Sequence, residues 1–445
     1  MTIQYLFILR AILIATIFSF PFSGIRFFIG SVPIYMPELM IIIVSAMFLY
    51  LFCHTDTFKI QKLPKAIFIA ITLLWSGILL SSFYSSITFT SLGIIKSWFF
   101  FPMLFSWLLF QTLSHTENAA KQSPEKTLLS IHTVLYAWYA SLLLVSIAAL
   151  AYAMTGNFTY DHRLKAFYLS PNYLALFLAP GILIGWHTIT VAYHSKKPLL
   201  FVGAILAWCF IGVTIYLTLS YTVILASLLS FFLVRFFQSL HNRTFRITPI
   251  LIGIACIAFF LFTQRNDQKF SDLIHMNERS SFASRLMIWQ ASTRMIKHHP
   301  LIGIGPGNFQ STYLQYQSYF PPYLEWAVPH PHNLYLALWL QTSIVGLIGF
   351  LFLIYALVSL CFTSLVSHTK KTPLVWVFLN ILLAWLLIGI TDTPLFKSDL
   401  SYEFWLVASL ILTLHKKTLQ SNTVELSIST IDKKKRCLQS INRQK

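Results

Sequence analysis

The sequence predicts an all-α, polytopic membrane bundle of about twelve transmembrane helices, with one large, partly helical loop outside the membrane. Three observations carry this. The chain is 56% hydrophobic and 10% charged, against roughly 25% charged in soluble domains, and its mean hydropathy is +0.69. Apolar runs recur at about 20 residues, the length that crosses a bilayer as a helix. The lysines and arginines gather in alternate loops between those runs. Lipid offers a backbone no hydrogen-bond partners, so only helices or closed barrels cross it, and long continuous apolar runs select helices.

Taken in order, the runs place spans near 4–24, 33–53, 66–83, 88–112, 128–154, 169–193, 199–218, 220–237, 247–264, 333–365, 374–391 and 400–415. The first, with Arg10 inside it and no small-residue cleavage site, reads as a retained span rather than a signal peptide. The region 199–237 fits either two spans joined by a tight turn or one broken helix. The organisation that follows is N-terminal transmembrane helices over 1–264, a large outer loop over 265–332, C-terminal transmembrane helices over 333–415 and a basic tail over 416–445.

The net charge of +18 invites a nucleic-acid reading, which its distribution excludes. Lys59, Lys62 and Lys65 share one loop, Lys121 and Lys126 another; Lys196 and Lys197, Arg243 and Arg246, and Lys370 and Lys371 mark three more. Lys416, Lys417 and the run Lys433 to Arg436 follow the last span. The positive-inside rule makes these cytoplasmic anchors, with both termini inside and membrane lipids as the partner. The tail reads as a disordered or membrane-surface-associated end. Cys53, Cys209, Cys256 and Cys361 lie in or beside apolar runs and Cys437 in the tail, without disulfide or metal spacing; they read as small buried hydrophobes.

With that orientation, 155–168, 265–332 and 392–399 face the outer, periplasm-like side. Asn157 to Asn172 carries Arg163 and Lys165 just before Ser170-Pro171-Asn172, a helix start with proline in its first turn. In the large loop, Ser284 to His298 has the length and residue types of a helix stopped by Pro300. Arg285 and Arg294 within it are nine residues apart, which puts them on opposite sides of a helix. An aromatic stretch from Tyr313 to Trp326 reads as an interfacial belt before a sugar-stacking platform. Glycines 303, 305 and 307 serve turns and packing, since no strand precedes them as in a phosphate-binding loop. Asn333 is placed to cap the following helix.

Ionisable residues at a membrane edge are costly and are functional candidates by default. Near the outer face these are Arg163, Lys165, Arg285, Arg294, His330, His332, Asp392, Lys397, Asp399 and Glu403, with Lys96 inside the fourth span. An arginine fork suits a phosphate or diphosphate, and a histidine suits the removal of a hydroxyl proton near neutral pH. Together they fit attack of a hydroxyl on a diphosphate-linked sugar.

One ordered set of motifs is more specific. Arg285-Leu-x-x-Trp289, then His299-Pro300-Leu301-x-Gly303-x-Gly305-Pro306-Gly307-Asn308-Phe309, then His332-Asn333-x-Tyr335-Leu336 and Gly346-x-x-Gly349 resembles the O-antigen ligase and O-antigen polymerase superfamily. The resemblance is close over about 65 residues and looser over Arg163 to Asn172 and the span count. It implies a multi-pass bacterial inner-membrane glycosyltransferase facing the periplasm. Such an enzyme moves a glycan from undecaprenyl diphosphate to a hydroxyl of lipid A–core, with inversion and with neither metal nor nucleotide cofactor.

The same resemblance implies that His332 is the general base and Arg285 holds the donor diphosphate; Arg163, Lys165, Tyr221, Asn333, Arg294 and His330 are the further candidates for substrate contact. At the helix break, where the family commonly has a Ser-Arg-Gly-like step, this chain has Leu219-Ser220-Tyr221-Thr222. Either another cation, Arg163 or Lys165, takes over the diphosphate, or the donor or activity differs. A polymerase or a protein O-oligosaccharyltransferase of the same superfamily remains an alternative expectation. So does a transporter, although paired helix breaks in two halves, as inverted repeats would give, are missing from the sequence.

Overall fold

The computed structural model of the protein describes residues 2–30, 32–54, 60–84, 89–120, 129–266, 270–272, 275, 280–317, 328–366 and 372–442. The aromatic residues Tyr319 to Trp326 and the lysines at 59, 121, 126, 370 and 371 lie outside them. Helices stand at all twelve anticipated places. They are α1 (Thr2–Ser19), α2 (Met36–His54), α3 (Lys65–Tyr84), α4 (Phe89–Ile94) running through a π-helical turn at Ile95–Phe100 into α5 (Phe101–Ala120), α6 (Ile131–Met154), α7 (Pro171–His194), α8 (Pro198–Leu217), α9 (Tyr221–His241) and α10 (Thr248–Thr263). After the large loop, which carries α11 (Ser281–His298) and α12 (Phe309–Tyr316), come α13 (Leu334–Val366), α14 (Thr372–Ile388) and α15 (Ser398–Asn442).

Among the described residues nine helical segments are long and apolar enough to cross a membrane, while Thr248–Thr263 and Pro373–Ile388 are apolar but shorter. The 199–237 region resolves as two helices, broken at Leu219, whose φ is +47°. The tail corrects an expectation. It continues α15 to Asn442 instead of forming an unstructured end, because residues 416–442 contain no proline or glycine and are rich in good helix formers such as leucine, lysine and glutamine.

The bundle packs through close backbone approaches. A Cβ on Gly77 of α3 would stand 2.2 Å from the Gly346 nitrogen of α13, and one on Gly349 would stand 2.5 Å from the Leu74 nitrogen. Small residues let these helices touch backbone to backbone, the way membrane helices associate without a hydrophobic driving force. Midway, α13 kinks at Ser343 (φ +67°). The Leu340 carbonyl accepts from the Ile304 and Gly305 amides (2.7 and 3.1 Å), and the Ile344 amide donates to Leu301. The glycine turn 303–307 is therefore scaffold that satisfies the broken helix. Gly303, at φ +72°, sits where a Cβ would meet the Leu340 oxygen at 2.3 Å.

One element was not anticipated: an antiparallel hairpin, β1 (Arg26–Ile29) and β2 (Val32–Tyr35). Its signature, Gly30-Ser31 between aromatic and β-branched residues, is a hairpin signal hidden between two apolar runs. Lys96, inside the fourth span, secures it from the π-helical turn, with Nζ 2.7 Å from Glu38 and donating to the Pro33 carbonyl. Ser97 and the Tyr35 amide also donate to the Glu38 carboxylate, so both charges are paired. Cys53, Cys209, Cys256 and Cys361 are free thiols, and of these four Cys361 alone is buried, Cys53 and Cys209 being exposed on the outside of the bundle.

Replacing Gly77 by Val should lower the thermal midpoint of the detergent-solubilised protein, by roughly 1–3 kcal/mol in stability as overpacking does. An unchanged midpoint would show that α3 and α13 do not depend on this contact.

Candidate active site

Three segments converge at the end of the bundle opposite the loops bearing Lys196, Lys197, Arg243 and Arg246. They are the loop 155–170, α11 with the following turn into α13, and the 389–397 connection after α14. Asp392 is their meeting point. Its side chain is only 3% exposed, and its two oxygens face different partners: Oδ1 lies 3.4 Å from His332 Nδ1, and Oδ2 lies 3.7 Å from an Arg285 terminal nitrogen. The Thr393 amide also donates to Oδ1, at 2.9 Å. Burial by itself pushes the carboxyl pKa up, but the hydrogen bond and charge of His332, together with the Arg285 charge, outweigh it and hold Asp392 below the usual carboxylate range. Asp392 is thus a buried anion. A proton on His332 Nδ1, directed at this carboxylate, leaves Nε2 with the lone pair of a base.

The turn carrying His332 is held from three sides. Trp289 Nε1 donates to the Pro331 carbonyl at 3.0 Å. The Asn333 side chain caps α13 by accepting from the Leu336 amide at 3.0 Å, and its amide donates to the Ile390 carbonyl at 2.8 Å. The Leu334 amide donates to Gly389 at 2.7 Å. His332 itself sits at φ +46°, a left-handed conformation that is unfavourable for a residue with a Cβ. Asn333 is accordingly a cap and positioning residue.

Arg285 also opens onto a cavity of about 500 Å³, lined by Arg163, Asn172, Tyr221, Phe282 and Thr391 among others. The Arg285 Nε is buried with no hydrogen-bond partner among the described residues. Arg163 is fixed by Nε donating to the Thr218 carbonyl at 2.8 Å, by Asn172 Oδ1 at 2.5 Å and by Asp161 at 3.6 Å. Burial lowers its guanidinium pKa; Asp161 opposes that and the nearby Arg285 charge reinforces it. Two arginines that repel each other across one cavity define a place for an anion.

Tyr221 lines the same cavity at the first turn of α9 and donates from its hydroxyl to Gln264 Oε1 at 3.2 Å. The Ser220 side chain does not cap that turn, so the positive end of the helix faces the cavity.

The other candidates separate from this centre. Lys165 is exposed and does not line the cavity. The chain buries Leu164, whose amide donates to Leu217, then turns at Ala166 with φ +50°. Of the two cations considered as replacements for the missing arginine, the structure brings in Arg163 alone. Arg294 lines a different groove with Trp289, Lys297 and His298, as the helical spacing anticipated. His330 is 2% exposed, its Nε2 is 3.2 Å from the Tyr173 hydroxyl, and its ring lies 5.1 Å from that of His332. Burial, with a smaller contribution from the His332 charge, pushes its pKa down to about 3 against the opposing pull of Asp392. It is a neutral packing partner of His332 and does not line the cavity. Lys397 pairs with Asp399 at 3.1 Å over the Tyr168 and Tyr173 rings, and Glu403 accepts from Trp138 Nε1 at 3.0 Å.

His330, His332 and Asp392 present potential ligand atoms within 4.8 Å of one another, enough donors to consider a divalent ion. The Arg285 guanidinium already balances the Asp392 carboxylate, and a second cation there would meet its repulsion. The central role of Asp392 was not assigned from sequence. Its signal was an acid at the end of an apolar run, a place where an ionisable residue is expensive.

The fold and site define a multi-pass helical membrane protein with a histidine and an arginine on one buried carboxylate and a cavity lined by two arginines at one end of the bundle. The family model described as O-antigen ligase matches residues 204–351, so that part of the chain is similar to the O-antigen ligase superfamily. The matched segment contains Tyr221, Arg285 and His332, whereas Arg163 and Asp392 lie outside it. No curated protein matches the chain.

Because His330 stays neutral when folded down to about 3, against an ordinary value of about 6.5, the unfolded chain takes up the proton first as pH falls. Its contribution to stability is therefore whole above about pH 6.5 and declines toward pH 3, by about 2 kcal/mol at pH 5. The thermal midpoint should drop between about pH 7.5 and pH 5, and His330→Gln should drop less. Equal losses in the two proteins would contradict a buried neutral His330.

Proposed function

We propose that the protein is an O-antigen ligase of the bacterial inner membrane with its active site facing the periplasm. It would transfer a glycan from undecaprenyl diphosphate to a hydroxyl of lipid A–core. One observation carries this reading: a single buried carboxylate, Asp392, ties the base His332 to Arg285, one of the two arginines of the anion cavity.

The donor diphosphate lies in the cavity against Arg163, Arg285 and the first turn of α9. The acceptor approaches from the His332 side, across Asp392. His332 Nε2 takes the acceptor hydroxyl proton as the oxygen forms its bond to the anomeric carbon. The bond from that carbon to the diphosphate oxygen breaks, and the lipid diphosphate leaves with the electron pair, its negative charge met by the two guanidinium groups. Attack and departure on opposite sides invert the anomeric configuration. Arg163 stands in for the arginine that this chain lacks at Tyr221. The reaction calls for neither metal nor nucleotide, since the diphosphate is the leaving group and the arginines supply the positive charge.

His332→Ala should abolish ligation in a deletion strain while the protein still inserts, and Asp392→Asn should slow it by about 10²–10⁴-fold, the usual worth of a positioned base. Retained ligation by His332→Ala would sink the mechanism. The function itself is read from a lipopolysaccharide gel of the deletion mutant, where loss of every long form is expected. A core bearing a single repeat unit would instead identify a polymerase. Normal patterns of both kinds would turn attention to protein glycosylation, and solute uptake by proteoliposomes would indicate transport.

A further inference from the structure

A second cavity lies at the other end of the bundle, and the transfer chemistry does not use it. It encloses about 700 Å³ between α7, α8, α9 and α10. Arg235 on its wall is 14 residues along α9 from Tyr221, roughly 21 Å away, so the cavity sits at the membrane edge where the basic loops emerge. Its walls are apolar and aromatic, with Trp186, Trp208, Phe231 and Phe232, and it carries two cations, Arg235 and Arg246.

The charges there are uncompensated. No carboxylate lines the cavity, and neither arginine forms an ion pair among the described residues. The Arg235 guanidinium is instead 5.6 Å from the centres of both the Trp186 and Phe231 rings and donates to Gln238 Oε1 at 2.9 Å. That arrangement fixes a planar cation without neutralising it. On the wall, Ser227 is 6% exposed and its hydroxyl has no partner among the described residues. The flanking surface is apolar and outward-facing, with Ile252 54% exposed, so a ligand reaches the cavity from the bilayer. It must therefore bring both hydrocarbon and an anion.

We propose that this cavity binds an anionic phospholipid from the leaflet facing the basic loops, with Arg235 and Arg246 on its phosphate and an acyl chain against the aromatic wall. The Gln238 and Asn242 side-chain amides at the same end provide hydrogen bonds for the ester and glycerol oxygens of a phospholipid. An isoprenyl phosphate has no such oxygens. The inference is independent of the reading of the active site, because no residue is shared between the two cavities.

The test uses the full chain in phosphatidylcholine nanodiscs titrated with phosphatidylglycerol, following the thermal midpoint and the lipid retained in native mass spectrometry. The wild-type midpoint should rise with phosphatidylglycerol. Retention should weaken roughly tenfold for each arginine changed to glutamine, the loss of about one charge-assisted contact, and Arg235→Gln/Arg246→Gln should lose the rise. Ser227→Trp, which fills the cavity and keeps both arginines, should lose it as well, and it decides the matter if the double variant does not insert. An equal rise in wild type and the variants would show only general lipid solvation and overturn the proposal. A response to a polyisoprenyl phosphate without one to phosphatidylglycerol would overturn it too.

Discussion

A carboxylate removed from water at a membrane edge has to be paired, because an isolated buried charge costs several kcal/mol even after the surroundings relax. Asp392 meets that requirement with two partners on two different elements, Arg285 on α11 and His332 before α13. The pairing fixes where the extramembrane helix docks on the bundle, and it orients the His332 ring at the same time. The surrounding backbone bonds, from Leu334 to Gly389 and from Asn333 to Ile390, close the same seam. They leave His332 in a left-handed backbone, a cost of order 1–3 kcal/mol that persists only where neighbouring contacts enforce it. Removal of Asp392 would therefore disturb three segments together, and its contribution cannot be divided into a structural part and a chemical part.

Tyr221 stands where the resemblance leads one to expect an arginine, and a guanidinium reaches the same cavity from another element. Arg163 comes from a loop whose own chain bonds to the end of α8, through the Thr218 and Leu217 carbonyls. It enters the cavity from the side, while the uncapped first turn of α9 contributes a partial positive charge from below. The mutual repulsion of Arg163 and Arg285 is an unfavourable term in the empty cavity, and a bound dianion converts it into attraction.

The helical architecture was legible in the sequence because lipid imposes a single requirement, long apolar runs, and composition reports it directly. The opposition of Arg285 and Arg294 followed from helical geometry, and the cap at Asn333 from side-chain chemistry. What escaped was tertiary. No spacing rule joins Asp392 to His332 across 60 residues, and nothing in the composition of residues 157–172 distinguishes the inward Arg163 from the outward Lys165. That choice depends on Leu164 being buried and Ala166 turning the chain. The hairpin at Arg26–Tyr35 was missed because its eight paired residues sit inside a hydropathy signal dominated by the spans on either side. In the tail the absence of helix breakers allows α15 to continue, which rules out the disordered reading and leaves the surface-associated one.

The glycine turn links scaffold to chemistry through the kink in α13. A helix broken at Ser343 exposes carbonyls and amides that lipid cannot satisfy, and the 301–305 segment supplies partners for both Leu340 and Ile344. Since α11 ends at His298 and runs directly into that segment, repairing the kink anchors the C-terminal end of the helix whose N-terminal turn presents Arg285. The helix is thus held at both ends, by backbone bonds at the kink and by the Asp392 ion pair near its start. Only a chain in which Gly303 can approach the Leu340 carbonyl so closely satisfies both restraints together, which is the physical reason for a glycine there even though it never touches the cavity.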